Sequence, residues 1–503
     1  MKKTAVLGVD VGTSSIKYSL IGARGQCIKS TSGGYSLDSA VPGQFEIDPE
    51  KLWDSVAASI RSLLAETTDA CTVDAVCICA MMIMPVFLDA KLQVVRPIIH
   101  WQDERLLRES VILKEQGKDR LVAEGSGSLL TGESTLNALS WLRRNEPARF
   151  RKISGFIMIK DFIRLRLTDM VCTDFGDASG SLLLDPKTRS WNMTLVRALD
   201  IPESILPELR GSDEIAGKVS RGASARTGLP EGVPVVTGTG DGICTILGLG
   251  VCEKGEVGIT VGSAGVVGVS AGEVPLDSLH RNYIFCHPLP DRWFSVMATA
   301  ASGDILRWYR SEILGNPRMT YAELDEQART VEPGSRGVMF LPYILGSRNP
   351  YGNPHAFGEF LGLRRQHDQR CMTRAVLEGI LLEVLDLYLT EQEVIERRGG
   401  TLEGVRVSGG IVQSAFWLQM LADMLGKDLI LTGASELGTL GCSILAFTGI
   451  RAYPSLQDAI RAMVTKSNVV RFDPWCHEVY QAKYKIFRQI YTAMEPLFPS
   501  LGV

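Results

Sequence analysis

The sequence predicts an α/β fold made of two related lobes, each with a mixed central sheet. Two observations carry this prediction. A short glycine-containing turn between runs of β-branched residues occurs once in each half, at residues 8–17 and at residues 260–265. That pattern is typical of a strand, a tight turn and a second strand. In addition, a chain of 503 residues is too long for a single hydrophobic core.

The first half begins with a predicted three-stranded meander at residues 4–9, 16–21 and 27–31. An amphipathic helix follows, with Pro49 at its start. Residues 73–80 then form an apolar run that predicts a strand buried on both faces. A meander, a helix and a buried strand in this order favour an α/β domain with a mixed sheet.

The second half repeats this theme. Strands are predicted on both sides of residues 262–265, followed by a long helix over about 372–398 and a short strand at 405–408. Ser414 is a candidate N-cap for a further helix, which Gly426 would end. We expect a hinge at residues 248–254.

Composition limits the classes of partner. The net charge of −4 and the pI of about 6.0 give no electrostatic reason to expect nucleic acid or an anionic membrane. The longest apolar run, residues 75–88, contains Pro85 and is too short for a membrane span. No targeting segment is predicted. The eleven cysteines are scattered without a CxxC pair, which favours free thiols in the cytoplasm over a disulfide framework or a zinc site.

The two glycine-containing turns suit a phosphate ligand. Glycines let backbone N–H groups approach an anion closely, hydroxyl groups add donors, and Lys17 adds a compact positive charge. One such turn alone is more often an ordinary hairpin. Two of them, one per half, favour a molecule that holds the phosphates of one nucleotide between two lobes.

A single carboxylate follows the predicted buried strand near residue 234. Residues 237–242 form a glycine-rich turn that presents Asp241. A carboxylate in that position can accept a proton from a substrate hydroxyl, which is worth about 10²–10⁴-fold in rate. The alternative is an aspartate that only accepts hydrogen bonds from turn amides.

Two further segments suggest ligand contacts. Residues 101–105 place an aromatic ring, an amide, two carboxylates and a guanidinium together, which suits a polyhydroxylated ligand. A helix N-terminus with surface charges is the alternative there. Residues 407–410 precede the Ser414 helix and could hold adenine or phosphate at its N-terminus, although a plain glycine-rich turn explains them equally well.

These motifs, taken in order, resemble those of the FGGY carbohydrate kinases, most closely the xylulokinase-like members, over nearly the whole chain. Asp10-Val11-Gly12-Thr13-Ser14 with Lys17 resembles the family's first phosphate loop, and Gly240-Asp241 falls where the family carries its catalytic aspartate. Further similar segments lie at residues 101–105, 160–168, 174–180, 262–265, 341–350 and 409–423.

The resemblance implies two actin-like (ribonuclease H-like) ATPase domains that face an interdomain cleft and close on Mg-ATP and a sugar. Residues 1–247 would form the N-terminal domain, with sugar binding and the catalytic base, and residues 248–503 the nucleotide-binding C-terminal domain. Asp241 would take the proton of the acceptor hydroxyl. The expected nucleotide ligands are Asp10, Gly12, Thr13, Ser14, Lys17, Gly262, Ser263, Gly265, Gly409, Gly410 and Ser414.

Sugar contacts are expected from Met82, Ile83, Trp101, Asp103 and Asp241. The resemblance also implies magnesium at Asp10, through water, and at Asp241. A small-molecule sugar is the expected partner. The sequence leaves the oligomeric state open, with a homodimer as the candidate assembly.

The chain departs from the family pattern at four positions. Ile83 stands where xylulokinases carry a sugar-binding histidine, and Gly242 where they usually carry asparagine. Ile411 replaces the third glycine of the GGGA signature, and Ser347 replaces a glutamate. A positive φ at Ile411 would be strained. The first two changes remove polar sugar contacts, so we expect either that the substrate is a ketose or polyol other than ordinary D-xylulose, or that the site binds D-xylulose poorly.

Two other classes of function stay open at this level. One is a non-catalytic sugar or nucleotide sensor on the same scaffold, against which the retained Asp10, Lys17 and Asp241 argue. The other is an actin-like ATPase that assembles into filaments, which would not need residues 101–105 or Asp241.

Overall fold

The computed structural model describes residues 3–67 and 71–501. The chain divides into two compact units. The first comprises Met1–Cys252, Gly272–Phe294 and Ala434–Thr465, and the second comprises Glu253–Ala271, Ser295–Gly433 and Lys466–Val503. The division at 247/248 expected from the sequence therefore lies close to the first change of unit, but the chain later returns twice to the first unit. That return depends on long-range packing, which no local pattern encodes.

The strands, numbered in chain order, are β1 Lys3–Val11, β2 Ile16–Gly22, β3 Cys27–Gly33, β4 Glu46–Ile47, β5 Cys71–Ala80, β6 Pro85–Leu88, β7 Ile98–Ile99, β8 Gly155–Met158, β9 Thr173–Asp174, β10 Leu184–Asp185, β11 Ser190–Trp191, β12 Leu209–Arg210, β13 Ile215–Lys218, β14 Pro234–Val236, β15 Glu256–Val261, β16 Gly265–Ala271, β17 Tyr283–Cys286, β18 Trp293–Ala298, β19 Met339–Pro342, β20 Gly358–Leu361, β21 Glu403–Ser408, β22 Leu429–Thr432 and β23 Lys466–Val470.

The α-helices are α1 Pro49–Ala65, α2 Glu104–Glu115, α3 Lys118–Ser126, α4 Thr135–Asn145, α5 Pro147–Phe150, α6 Ile159–Thr168, α7 Phe175–Gly180, α8 Met193–Ala198, α9 Arg221–Thr227, α10 Asp241–Gly248, α11 Gly303–Trp308, α12 Tyr321–Arg329, α13 Gln369–Glu396, α14 Ala415–Leu425, α15 Leu437–Gly449, α16 Leu456–Met463, α17 Pro474–Met494 and α18 Phe498–Leu501.

The first unit is built on a six-stranded sheet in the order β13-β14-β5-β1-β2-β3. The hairpin β1–β2 and its continuation into β3 are antiparallel, whereas β5 runs parallel to β1 and β14 parallel to β5. This confirms the meander followed by a buried parallel strand. Helix α1 begins at Pro49 behind the N-cap Asp48, and it buries the face that carries Leu52, Val56 and Ile60.

The second unit contains the strand order β16-β15-β21-β22-β23. Strands β15 and β16 form the predicted antiparallel hairpin, and β21 pairs parallel to β15. Helix α13 spans 28 residues and is buried along most of its length. It begins and ends within three residues of the predicted bounds, behind the N-cap Asp368.

Helices α15 and α16 belong to the first unit although they lie near the end of the sequence. The start of α15 packs very closely on β1, because a Cβ atom on Gly8 would lie 2.7 Å from the carbonyl oxygen of Thr439. Across residues 3–67 and 71–501, the structure contains no helix long and apolar enough to cross a bilayer.

Candidate active site

Three neighbouring parallel strands of the first unit end at one edge of its sheet. Asp10, near the end of β1, lies in register with Cys79 in β5, and Ala80 pairs with Gly240 after β14. Ligands in open α/β sheets bind beyond the carboxyl ends of parallel strands. The sheet therefore brings Asp10 and Asp241 to the edge where a substrate site is expected.

Asp241 is the first residue of helix α10. Its Oδ1 accepts a hydrogen bond from the backbone N–H of Gly242 at 2.8 Å. The glycine-rich segment thus leads directly into a helix, so the carboxylate lies at a helix N-terminus, which favours its anionic form. Burial nevertheless raises the pKa of Asp241 well above its usual range, and the charge of Asp10 raises it further.

Asp10 is also half-buried. Burial raises the pKa of its carboxyl group from the ordinary 3.8 to about 6, although a hydrogen bond from the Cys79 thiol opposes this rise. Two neighbouring carboxyl groups with raised pKa values are a favourable set of oxygen ligands for a divalent cation, because the cation would stabilise both ionised forms. The residues present therefore fit a divalent cation that prefers oxygen ligands.

The turn between β1 and β2 exposes Thr13 and Ser14. It is closed by a hydrogen bond from Gly12 N to Ser15 O at 3.1 Å. The hydroxyl of Tyr35 donates to the carbonyl of Thr13 at 2.8 Å. The turn is therefore held from behind while its polar side chains face solvent.

Lys17 does not stand free beside this turn. Its Nζ lies 2.9 Å from Oε2 of Glu436, and the hydrogen bond to Glu436 raises the pKa of Lys17. Gly438 lies two residues after Glu436, in the first turn of α15, and it packs against Asp10. A Cβ atom at Gly438 would overlap Oδ2 of Asp10. Glu436 and Gly438 thus adjoin the hairpin of β1 and β2, although they lie more than 400 residues from it in sequence.

Met82 and Ile83 follow β5 at the same sheet edge. The side chain of Met82 fills the space beside Gly240, and its Sδ lies 3.5 Å from where a Cβ of Gly242 would be. Both side chains are half-buried. Ile83 has a φ of 67°, which is an outlier for a β-branched residue.

A buried carboxyl group fixes Ile83 in this conformation. Asp177, in helix α7, accepts a hydrogen bond from the backbone N–H of Ile83 at 3.0 Å through Oδ1. Burial raises the pKa of Asp177 to about 8, although the charge of Lys160 opposes the rise. Asp177 is thus a buried carboxyl group behind the predicted substrate wall.

Trp101 and Asp103 lie on the segment that leads into α2. Asp103 is the N-cap of this helix and is buried. Its two oxygens accept hydrogen bonds from Phe45 N at 2.7 Å and from Arg105 at 2.7–2.9 Å. These hydrogen bonds agree with the alternative interpretation of residues 101–105, in which they form a helix N-terminus with surface charges. A direct sugar contact by Asp103 would require one of them to break.

The second unit contains the other predicted turn, between β15 and β16. Gly262 N donates to Ala264 O at 3.0 Å, and Gly265 N donates to the Thr299 hydroxyl at 2.8 Å. A Cβ atom on Gly303 would lie 2.6 Å from Gly262 O, so the first residue of α11 packs closely on this turn. The strand–turn–strand prediction is confirmed, with Ser263 exposed at its tip.

Gly409 follows β21 and is the left-handed residue of the GGGA-like segment, with a φ of 88°. A Cβ atom there would lie 2.5 Å from Val261 O. Ile411 instead lies in the short 3-10 turn Gly410–Gln413 and is buried in the core. The strain considered for Ile411 therefore does not arise, because the positive φ falls on Gly409.

Ser414 caps α14, as the sequence predicts. Its hydroxyl accepts from Trp417 N at 3.2 Å and donates to Asp325 Oδ2 at 2.5 Å. The only hydroxyl proton of Ser414 is therefore used within the protein. A nucleotide contact through this hydroxyl would have to replace Asp325.

Sequence reasoning missed Tyr35, Asp177, Glu436 and Gly438. The last two follow the short strand β22, and the glycine-rich start of α15 was the only signal for them. Asp177 lies inside a segment already matched to the family pattern, but the pattern gave no reason to expect its bond to Ile83.

The two-unit α/β architecture with these turns defines an actin-like ATPase fold. The family model described as the FGGY family of carbohydrate kinases, N-terminal domain, matches residues 5–248, and the corresponding C-terminal domain matches residues 257–450. The chain therefore belongs to the FGGY family of carbohydrate kinases, a family of phosphotransferases.

Several relatives are similar over almost their full length. The chain is 31% identical to a xylulose kinase of Escherichia coli over 98% of this chain and 99% of the relative. It is 26% identical to a gluconokinase of Bacillus subtilis, over 91% and 90% respectively. The solved xylulose kinase of Rhodospirillum rubrum superimposes with a TM-score of 0.90 at 28% identity, covering 98% of this chain and 99% of the other.

Proposed function

We propose that this protein transfers the γ-phosphate of ATP to a hydroxyl group of a ketose or polyol. The observation that carries the proposal is that Asp10 and Asp241 lie at one edge of the sheet, at the ends of β1 and β14 on either side of β5, with the half-buried Met82 beside the helix that Asp241 begins. Phosphoryl transfer to an alcohol requires carboxylates that can bind a cation and, beside them, a surface that can bind the substrate.

Asp241 is the proposed catalytic base. Its carboxylate accepts the proton of the acceptor hydroxyl as the oxygen attacks the terminal phosphorus, and the bond from that phosphorus to the leaving ADP oxygen breaks. Asp10 and Asp241 are the proposed magnesium ligands, Asp10 through water. Bound magnesium would neutralise phosphate charge and favour the ionised form that Asp241 needs.

The nucleotide is proposed to bind backbone groups of both glycine-containing turns. In the first unit these are Gly12, Thr13 and Ser14, with the turn held by Tyr35. In the second unit they are Gly262, Ser263 and Gly265, together with Gly409 and Gly410. For Ser414 the hydrogen bonds to Trp417 and Asp325 favour a capping role that shapes this segment without touching the ligand.

The substrate is proposed to differ from ordinary D-xylulose. Ile83 and Gly242 offer no side-chain hydrogen bond to a sugar hydroxyl, and Met82 presents a thioether beside them. A site that offers no hydrogen-bond partner to a substrate hydroxyl discriminates only weakly in favour of sugars that carry this hydroxyl. The relatives named xylulose kinase and gluconokinase support the proposal of a small open-chain sugar or sugar acid as the substrate.

A panel of ketoses, polyols, deoxy sugars and gluconate, assayed by coupled ADP release with and without each sugar, tests this proposal. We expect sugar-stimulated turnover, with D-xylulose not the best substrate. D-xylulose leading by a wide margin would overturn the substrate proposal. Sugar binding without turnover would instead support the sensor, and concentration-dependent hydrolysis without sugar would support the assembling ATPase.

Cellular location and assembly are part of the same proposal. None of the eleven cysteines forms a disulfide, and nine of them are buried. This number of cysteines without a disulfide suits the reducing cytoplasm. A homodimer stays a prediction, and light scattering coupled to size exclusion would measure it.

A further inference from the structure

Three buried cysteines of the first unit meet directly behind Asp10, and the proposed phosphoryl transfer uses none of them. They are Cys79 at the end of β5, Cys244 in α10 and Cys442 in α15. Their Sγ atoms all lie within 4.8 Å of one another, and those of Cys244 and Cys442 are 3.8 Å apart. This cluster is called the thiol triad below.

The backbone holds the thiol triad rigidly. Helices α10 and α15 are in direct contact, because a Cβ atom on Gly441 would overlap the carbonyl oxygen of Cys244. Cys79 belongs to a central strand that pairs with β1 on one side and β14 on the other. The three sulfur atoms therefore converge without any contribution from a mobile loop.

We propose that the thiol triad is a binding site for a soft, thiophilic cation such as Zn²⁺ or Cu⁺. A metal–thiolate bond is about 2.3 Å long, so three sulfurs around one ion lie about 4 Å apart. The spacing of the triad meets that requirement without movement of the backbone. Thiolates select soft cations, whereas Mg²⁺ requires oxygen ligands, so this site is separate in chemistry from the carboxylates of Asp10 and Asp241.

Binding exchanges protons for the ion. Each thiol that becomes a ligand releases its proton to solvent, and a metal–sulfur bond replaces the S–H bond. The Cys79 thiol at present donates to Oδ1 of Asp10 at 3.4 Å, and the Cys442 thiol to Val9 O at 3.7 Å. Both hydrogen bonds are lost when the ion binds.

Occupancy of the thiol triad therefore alters the residue proposed to hold magnesium. Asp10 loses a hydrogen-bond donor and gains a thiolate ligand set as its neighbour. A soft cation should consequently inhibit the kinase at a place distinct from the ATP and sugar sites. The inhibition rests on the proposed function, whereas binding of the ion does not.

Cd²⁺ is a suitable probe, since its thiolate complexes absorb in the ultraviolet and X-ray absorption counts their sulfur ligands. The full chain carrying Cys27→Ser and Cys476→Ser, which removes the two thiols that are not buried, is reduced and titrated with Cd²⁺. We expect one bound ion with three sulfur ligands. No charge-transfer band, or a bound ion with fewer than three sulfurs, would overturn the site.

Single variants Cys244→Ala and Cys442→Ala in this background should weaken Cd²⁺ binding more than about 100-fold. Cys286→Ala and Cys371→Ala remove equally buried thiols elsewhere and should leave the affinity unchanged. Equal loss in all four variants would overturn the assignment. The sulfur count on the parent protein keeps the test decisive even where a triad variant fails to fold.

A second readout separates the two proposals. Sugar-stimulated ADP release by the parent should fall as Cd²⁺ occupies the triad, and Cys442→Ala should resist inhibition at the same concentration. Three-sulfur binding with unchanged turnover would overturn the coupling to Asp10. Absence of turnover before any Cd²⁺ is added would instead count against the proposed kinase function.

Discussion

Replacing Asp10 with asparagine should make the ligand-free protein more stable while it abolishes turnover. The substitution keeps the size and the acceptor oxygen of the side chain but removes its charge. Asp10 is half-buried, and its carboxyl group contacts the thiol of Cys79 and lies against Gly438. Without a bound cation, the folded protein carries this charge at an energetic cost.

The size of that cost follows from the pKa of Asp10, which burial raises from 3.8 to about 6. One pKa unit corresponds to about 1.4 kcal/mol, so ionisation of Asp10 destabilises the folded state by about 3 kcal/mol at pH 8. The N-terminus of α15 beside Gly438 offsets about 1 kcal/mol of this. We therefore expect Asp10→Asn to raise the free energy of unfolding by about 2 kcal/mol.

The direction of the pKa shift determines the pH range in which Asp10→Asn is more stable than the wild type. Because the folded pKa is the higher one, the cost is fully present above about pH 6 and disappears below about pH 4, where the carboxyl group is protonated in both states. Thermal melts in EDTA without nucleotide should show Asp10→Asn melting about 2 °C above the wild type at pH 8. The two proteins should melt together near pH 4.

Asp103→Asn is the matched control, and we expect it to change the melting temperature in the opposite direction. Burial opposes ionisation of Asp103, but the hydrogen bonds from Arg105 hold its pKa below the usual range. Asparagine at this position should therefore lower the melting temperature at pH 8. If Asp10→Asn melts at or below the wild type at pH 8, or if its advantage persists at pH 4, the reasoning about a destabilising charge is refuted.

Three further substitutions test the site. Gly438→Ala pushes a methyl group into the Asp10 carboxylate and should reduce turnover about 100-fold, whereas Gly34→Ala, which has open space, should leave turnover unchanged. Ile83→His should raise kcat/KM for D-xylulose at least about 10-fold. Stability should not fall, because histidine accepts a positive φ better than isoleucine does. An unchanged sugar preference would contradict the proposed contact between residue 83 and the sugar. Lys17→Met should raise the KM for ATP about 10-fold. It should change the free energy of unfolding by less than about 1 kcal/mol, because the ion pair with Glu436 is exposed. An unaltered KM for ATP would exclude Lys17 from the phosphate site.

The elements that local physics determines were predictable from the sequence. Alternating β-branched residues around Gly12 and Gly262 predicted both hairpins, and both are present. The N-cap Ser414 and the proline at the start of α1 marked helix ends correctly. These features depend on a few neighbouring residues, so the sequence contains the whole signal.

The environment of the candidate site was less accessible. Lys17 lies 2.9 Å from Glu436, and Cys244 lies 3.8 Å from Cys442, although 198 residues separate that pair in sequence. Asp103 combines with Trp101 in a pattern that suits a sugar, yet Arg105 and Phe45 occupy its oxygens. Only tertiary packing determines whether such a polar side chain faces a ligand or a helix terminus.

The kinetics of Asp241→Asn test the central claim most directly, since asparagine preserves the acceptor for Gly242 N–H but cannot take a proton. With the best sugar of the panel, and with magnesium, ATP and sugar all at saturating concentration, kcat should fall by about 10²–10⁴-fold. A variant that retains kcat within a few-fold of the wild type would show that the proton goes elsewhere, and the proposed catalytic role of Asp241 would be wrong.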